Sequence, residues 1–192
     1  PDELLPSTPE TPQTPEQPLP DTPQNISIKG FTVTGSTVFS QKELQDAIAE
    51  KIGVIPPEGK QISLTELFEA RSAITDLYTK KGYITSGAYI PPQKLQGGVV
   101  EIRVLEGSLE EIRVTGTTDL DPGYVSSRIG LATRTPLNRD RLLEALQLLQ
   151  LNPLIANISA ELSAGSTPGT SLLEIKITEA DSAFATFTVD NQ

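Results

Sequence analysis

The chain has no cysteine, histidine, methionine or tryptophan. Without cysteine there can be no disulfide and no thiolate metal site; without histidine the commonest general base and zinc ligand is gone. Absence of thiols also suits an oxidising compartment. No apolar run approaches the roughly 18 residues of a membrane-spanning helix. The start, Pro1-Asp2-Glu3, lacks the basic and apolar regions of a secretory leader, as expected of a processed or trimmed chain. Positive charge is scarce too. Lysine and arginine number 15 against 25 aspartates and glutamates, and the net charge of −10 argues against a nucleic-acid partner.

Proline is abundant but unevenly placed. Residues 1–25 carry 8 of the 16 prolines and five acids (Asp2, Glu3, Glu10, Glu16 and Asp21) with no base. Such a stretch buries too little apolar surface to offset its ordering entropy, and reads as an extended linker with polyproline character.

The remainder repeats. Phe31-Thr-Val-Thr-Gly-Ser36 and Ile112-Arg-Val-Thr-Gly-Thr117 match at a spacing of 81 residues. Each opens a unit of one strand, two helices and two further strands. In the first unit, Ser40-Gln-Lys-Glu43 and Ser63-Leu-Thr-Glu66 are capping boxes, with Phe39/Leu44 and Ile62/Leu67 as hydrophobic staples. Leu44, Ala47, Ile48 and Ile52 form one helical stripe; Leu67, Ala70, Ile74, Leu77 and Tyr78 form the next. Gly82 stops that helix and feeds a strand expected over Tyr83–Ile90, with Ile84, Ala88 and Ile90 inward and Tyr83, Thr85 and Tyr89 outward. Val99–Leu105 alternates as the closing strand. In the second unit the expected parts are a helix over Pro122–Ile129, a helix capped by Asn138 with stripe Leu142, Ala145, Leu146 and Leu149, and strands over Ile155–Leu162 and Ser171–Ile177. The fold class is α+β: two tandem units, each a three-stranded mixed sheet with two helices on one face. Units of this size sit near the lower limit for an independent core, so mutual packing across Glu106-Gly107-Ser108 is expected.

No catalytic machinery is assigned. Gly53 and Gly59-Lys60 miss phosphate-loop spacing, and Gln61 stands where a magnesium-binding hydroxyl belongs. Asp119 and Asp121 lack a calcium loop around them and read as helix caps. The sequence calls for no metal and no cofactor, and the enzyme class ranks last.

Gly82-Tyr-Ile-Thr-Ser-Gly-Ala-Tyr-Ile-Pro-Pro-Gln93, followed by Gly98-Val-Val-Glu-Ile-Arg-Val-Leu-Glu-Gly107, resembles the first POTRA (polypeptide-transport-associated) domain of two-partner secretion transporters, the TpsB family. Leu151-Asn-Pro153, Ala160-Glu-Leu162 and Pro168-Gly-Thr-Ser-Leu-Leu-Glu-Ile175 resemble the second. Asn152-Pro153-Leu154 is followed by Ile155-Ala156 where that family often carries basic residues. Ala185-Thr-Phe-Thr-Val-Asp-Asn191 resembles the opening strand of the transporter's barrel. The implied division is a linker over 1–25, POTRA domains over 26–107 and 108–181, and the first barrel strand from 182 to 192.

The resemblance implies the periplasmic part of an outer-membrane protein that exports one β-rich passenger. The tandem domains would catch the passenger's unfolded N-terminal secretion domain and deliver it to the protein's own C-terminal β-barrel. In the family fold the middle strand lies at a sheet edge, open to pairing with an extended chain, beside a groove against the second helix. The implied contact residues are Leu77, Tyr78, Tyr83, Ile84, Thr85, Ser86, Gly87, Ala88, Tyr89 and Ile90, then Ile155, Ala156, Asn157 and Ile158. The alternatives are an outer-membrane protein assembly or import barrel, which uses the same domains, and a static envelope scaffold.

Overall fold

The computed structural model describes residues 25–180. Of the linker expected over 1–25, Asn25 instead opens the first strand and the rest lies outside the described residues, as does the expected barrel strand over 182–192.

The first unit contains β1 (Asn25–Ile28), β2 (Gly30–Thr34), α1 (Gln41–Ile52), β3 (Lys60–Ser63), α2 (Leu64–Lys80), β4 (Gly87–Tyr89) and β5 (Val99–Leu105). The second contains β6 (Ser108–Thr115), α3 (Pro122–Ala132), α4 (Arg139–Gln150), β7 (Ile155–Ala164) and β8 (Thr170–Glu179). Each unit holds a three-stranded mixed sheet with its last strand in the centre: β2-β5-β4 in the first, β6-β8-β7 in the second. The first strand pairs parallel with the centre and the middle strand antiparallel to it. One pairing was not expected. β1 and β3 form a separate antiparallel pair, Asn25 against Ser63 through Ile28 against Lys60, joining the entry of the unit to the start of α2.

Both expected capping boxes form. Ser40 and Ser63 accept the amides of Glu43 and Glu66, whose carboxylates return to the serine amides at 2.8 Å. Asp121 caps α3 with Pro122 at its first turn, and Asn138 caps α4. The helical stripes meet the inward faces of the sheets in two cores. Leu44, Ile48, Ile74 and Tyr78 pack with Val100 and Ile102 in one, and Val125, Ile129, Leu142 and Leu149 with Leu173 and Ile175 in the other.

The repeat extends to a pair of contacts that join distant ends of each unit. Gly35 and Gly116 have φ of 83° and 80°, a left-handed conformation that glycine alone adopts cheaply. A Cβ at either would strike the carbonyl oxygen of Val104 or Ile177 on the central strand. At the end of β8, and one residue past the end of β5, a glutamate turns back on the loop after the first strand of the sheet. Glu106 accepts the Thr37 amide at 2.7 Å; Glu179 accepts the amides of Thr118 at 2.7 Å and Leu120 at 2.9 Å. Burial alone would raise the Glu106 pKa, but the bonds from Thr37 and Tyr78 outweigh it and hold the carboxyl below its usual range. The amides of Asp119, Leu120 and Thr118 lower that of Glu179.

Candidate functional site

A sheet edge is a row of backbone donors and acceptors, so its capacity to take up another strand depends on its length and on what already occupies it. The two middle strands, β4 and β7, are both edges and differ in both respects.

In the first unit the strand is shorter than expected. Tyr83, Ile84, Thr85 and Ser86 are not strand; only Gly87–Tyr89 pairs with β5. The cause is the way α2 ends. Gly82, at φ 85°, donates to Thr79 at 3.0 Å and Tyr83 to Tyr78 at 3.0 Å, the bonding of a Schellman cap. Ser86 then donates to Tyr83 at 3.0 Å, closing a turn that uses up the residues assigned to the strand. Tyr83, expected to face outward, packs edge-on against Phe39 and Tyr78 at ring separations of 6.3 and 5.8 Å. Ile84, expected inward, is 45% exposed.

The edge that remains is partly closed by the unit's own helix. The Ala88 amide donates to Thr75 Oγ1 on α2 at 3.0 Å. Along α2 from Thr75 lie Phe68 and Leu64, seven and eleven residues earlier and so on the same side of the helix; they are 46% and 44% exposed. The Arg71 guanidinium stands 5.5 Å from the Phe68 ring centroid. Leu77 is half-buried against the first core and Ile90 likewise, while Tyr89 is exposed. Tyr78 has no exposed surface: its hydroxyl donates to Glu106 at 2.7 Å and lies 2.8 Å from Ser36 Oγ. Burial above all pushes the phenol pKa up.

In the second unit the edge is long. β7 runs ten residues, Ile155–Ala164, and among the described residues it pairs on one side only, with β8. Ala156 is an extra residue in the pairing, a bulge next to the strand's start. Ile155 is buried in the second core and Ile158 half-buried against it; Ala156 and Asn157 are exposed. A side-chain hydrogen bond also runs from α4 to this strand, Gln150 Nε2 donating to the Ala156 carbonyl at 3.4 Å. Seven residues before Gln150, on the same side of α4, stands Leu143, 48% exposed. The two units thus share a device. An exposed large apolar residue, Phe68 or Leu143, sits seven residues before the side chain that touches the edge strand. Sequence reading passed over both, because it sought the stripe that fills the core. The signal was available as an apolar residue standing off that stripe, one position after Leu67 and Leu142.

A further groove lies between α3 and α4, about 630 Å³ in volume, lined by Tyr124, Arg128, Leu131, Arg141 and Leu148. Arg128 stands 5.4 Å from the Tyr124 ring centroid.

Two βααββ units, each with a mixed sheet whose middle strand lies at an edge, are the architecture that the opening resemblance implies. Residues 26–107 match the family model described as POTRA domain, ShlB-type. Residues 26–107 are thus a POTRA domain of the ShlB type, and the second unit repeats its architecture. Over 136 residues, 70% of this chain, it is 32% identical to the heme/hemopexin transporter protein HuxB of Haemophilus influenzae (strain 86-028NP), and it covers 24% of that protein's length. Over 97 residues it is 36% identical to the outer membrane transporter CdiB of Escherichia coli, across 50% of this chain and 16% of the relative. Among solved structures, CdiB from Escherichia coli superposes with a TM-score of 0.66 at 29% identity, covering 91% of this POTRA region and 30% of that chain. The N-terminal domain of Omp85 from Thermosynechococcus elongatus has the same fold, with a TM-score of 0.64 at 22% identity over 82% of this chain and 68% of that one. POTRA regions of such outer-membrane transporters lie in the periplasm, which places this one there.

Proposed function

We propose that this POTRA region captures an unfolded, β-rich secreted passenger by adding the passenger's strand to the outer edge of β7, and hands it to the barrel of the same protein. The observation that carries this reading is the ten-residue edge of β7, unpaired among the described residues, with exposed Leu143 on the side of α4 from which Gln150 reaches the strand. Pairing along the backbone supplies affinity, and the exposed α4 face at Leu143 selects an apolar side chain on the incoming strand. β4 contributes less pairing, since it is three residues long and its Ala88 amide already has a partner in Thr75. The first unit then contributes chiefly the α2 face, Leu64 and Phe68, together with Ala88, Tyr89 and Ile90. The relative CdiB, an outer membrane transporter, supports a client that crosses that membrane. A static scaffold needs no open edge of this length.

The test is titration with the unfolded N-terminal secretion domain of the passenger encoded beside the transporter, followed by amide NMR. Shifts are expected along Ile155–Ala164 and at Leu143. Two neighbouring substitutions sharpen the test, because successive amides of a strand point to opposite sides. Of Ser159→Pro and Ala160→Pro, one removes an amide facing β8 and unsettles the sheet. The other removes an outward amide, keeps the native circular dichroism, and lowers client affinity about tenfold, as expected when a backbone bond and its strand geometry are lost together. Saturating client with no shift on either unit refutes capture.

A further inference from the structure

The junction between the units is built from polar groups that have no room to part. β5 and β6 are separated by Glu106 and Gly107 alone. The Gly107 amide donates to Ser86 Oγ at 2.9 Å, and its carbonyl accepts the Leu137 amide at 2.7 Å. A side chain at Gly107 would collide with Thr85, whose Oγ1 is buried without a partner among the described residues. Ser86, Leu137 and Asn138 are all buried.

At the same place α4 begins where α2 ends. A helix leaves its first amides and last carbonyls without internal partners, and its ends carry opposite partial charges. Here each end serves the other. The Arg139 amide donates to the Gly82 carbonyl at 2.8 Å, and Asn138 Nδ2 donates to the Lys81 carbonyl at 2.9 Å. Asn138 Oδ1 meanwhile accepts the amides of Asp140 at 3.0 Å and Arg141 at 3.2 Å. One buried side chain, 8% exposed, caps its own helix with its oxygen and ties down the other unit's helix with its nitrogen. Gly82 leaves space for this, since a Cβ there would sit 2.9 Å from Asp140 Oδ2.

We infer that this end-to-end joint holds the two units as one rigid body, and that Asn138 is a positioning residue that sets the angle between them and so the direction in which the β7 edge is presented. Units joined by a polar linker normally move relative to each other. This linker is too short, and too fully bonded on both faces, for that motion to begin without breaking buried hydrogen bonds.

The joint separates by chemistry into two roles. Serine and aspartate cap a helix about as well as asparagine does, but neither supplies an amide to the Lys81 carbonyl. Asn138→Ser and Asn138→Asp therefore keep α4 and release the joint. Because the chain has no cysteine, Lys42→Cys and Gln147→Cys introduce two unique, exposed spin-label sites, one on each unit. Dipolar spectroscopy on the otherwise unaltered chain is expected to give a single narrow distance distribution. Either Asn138 variant, folded by circular dichroism, is expected to widen it about twofold, toward the loose coupling of ordinary tandem domains. Gly107→Val, acting on the other side of the joint, is expected to do the same. In cells, the full transporter with Asn138→Asp is expected to secrete about fivefold less, the equivalent of one lost hydrogen bond, while the chain's affinity for the client is unchanged. A wide distribution in the unaltered chain overturns the rigid joint. An unchanged width in both Asn138 variants, or full secretion despite a widened joint, overturns the role of Asn138. The distance measurement needs no client, so its outcome is independent of whether β7 captures one.

Discussion

Glu179 illustrates how a single side chain closes a unit. It stands at the end of β8 and accepts the amides of three consecutive residues, Thr118, Asp119 and Leu120, which follow β6. The alternative for those amides is water, so the gain lies in holding the loop rather than in the bonds alone. Its pKa is lowered, and so are those of Glu43, Glu66 and Glu110, which accept amide and hydroxyl protons in the capping boxes and at the β7–β8 turn. A carboxylate depressed in the folded state stabilises fully above its unfolded value, about 4.3, and loses that contribution as pH falls through the folded value. The thermal midpoint is therefore expected to hold between pH 7 and pH 5 and to drop below about pH 4.5. Glu179→Gln, which stays neutral throughout, should lower the midpoint at pH 7 and flatten the acid limb. An equal slope in both proteins would assign the acid sensitivity to other groups.

The elements differ in how well their residues announce them. The four helices follow from capping residues and apolar spacing, both of which act within one or two turns, so their starts were readable. β4 was not. Tyr83–Ile90 alternates like a strand, yet the Schellman cap at Gly82 and the turn at Ser86 took half of it. Alternation in a short segment cannot compete with hydrogen bonds already committed to ending a helix. β3 was missed for the opposite reason: four residues, Lys60–Ser63, become a strand only because β1 lies alongside. At this scale Thr75 has a testable effect. Its hydroxyl should protect the Ala88 amide from hydrogen exchange although that amide lies on a sheet edge. Thr75→Val keeps the shape and removes the acceptor, and exchange at Ala88 should accelerate roughly fivefold, the equivalent of about 1 kcal/mol. The outward amides of β7 should exchange fast in both proteins. Slow exchange there would mean that β7 is not an open edge.

For the molecule as a whole the question is whether two units of about 80 residues behave as two domains or one. Neither is large enough to carry a generous core, and each loses partners when the joint opens. Heating is expected to give one calorimetric transition with equal calorimetric and van't Hoff enthalpies. Gly107→Val, which forces Thr85 and the linker apart, should split it into two. Two transitions in the unaltered chain would argue that the joint contributes little.

The features legible in the residues alone are local or repeated: the two copies, the helix starts, the inward faces of the central strands, the absence of thiol and imidazole side chains, and the resemblance to POTRA domains. These depend on neighbours within a turn or on a pattern stated twice. Tertiary structure decided which edge is open, because Thr75 and Ala88 are 13 residues apart and meet only when α2 packs on the sheet. It likewise decided the use of Asn138, legible as a cap from the residues around it but not as a tie to Lys81, 57 residues away. A hydrogen bond between distant segments leaves no period in the sequence, and a residue that serves two helices looks, from its own neighbours, like a residue that serves one.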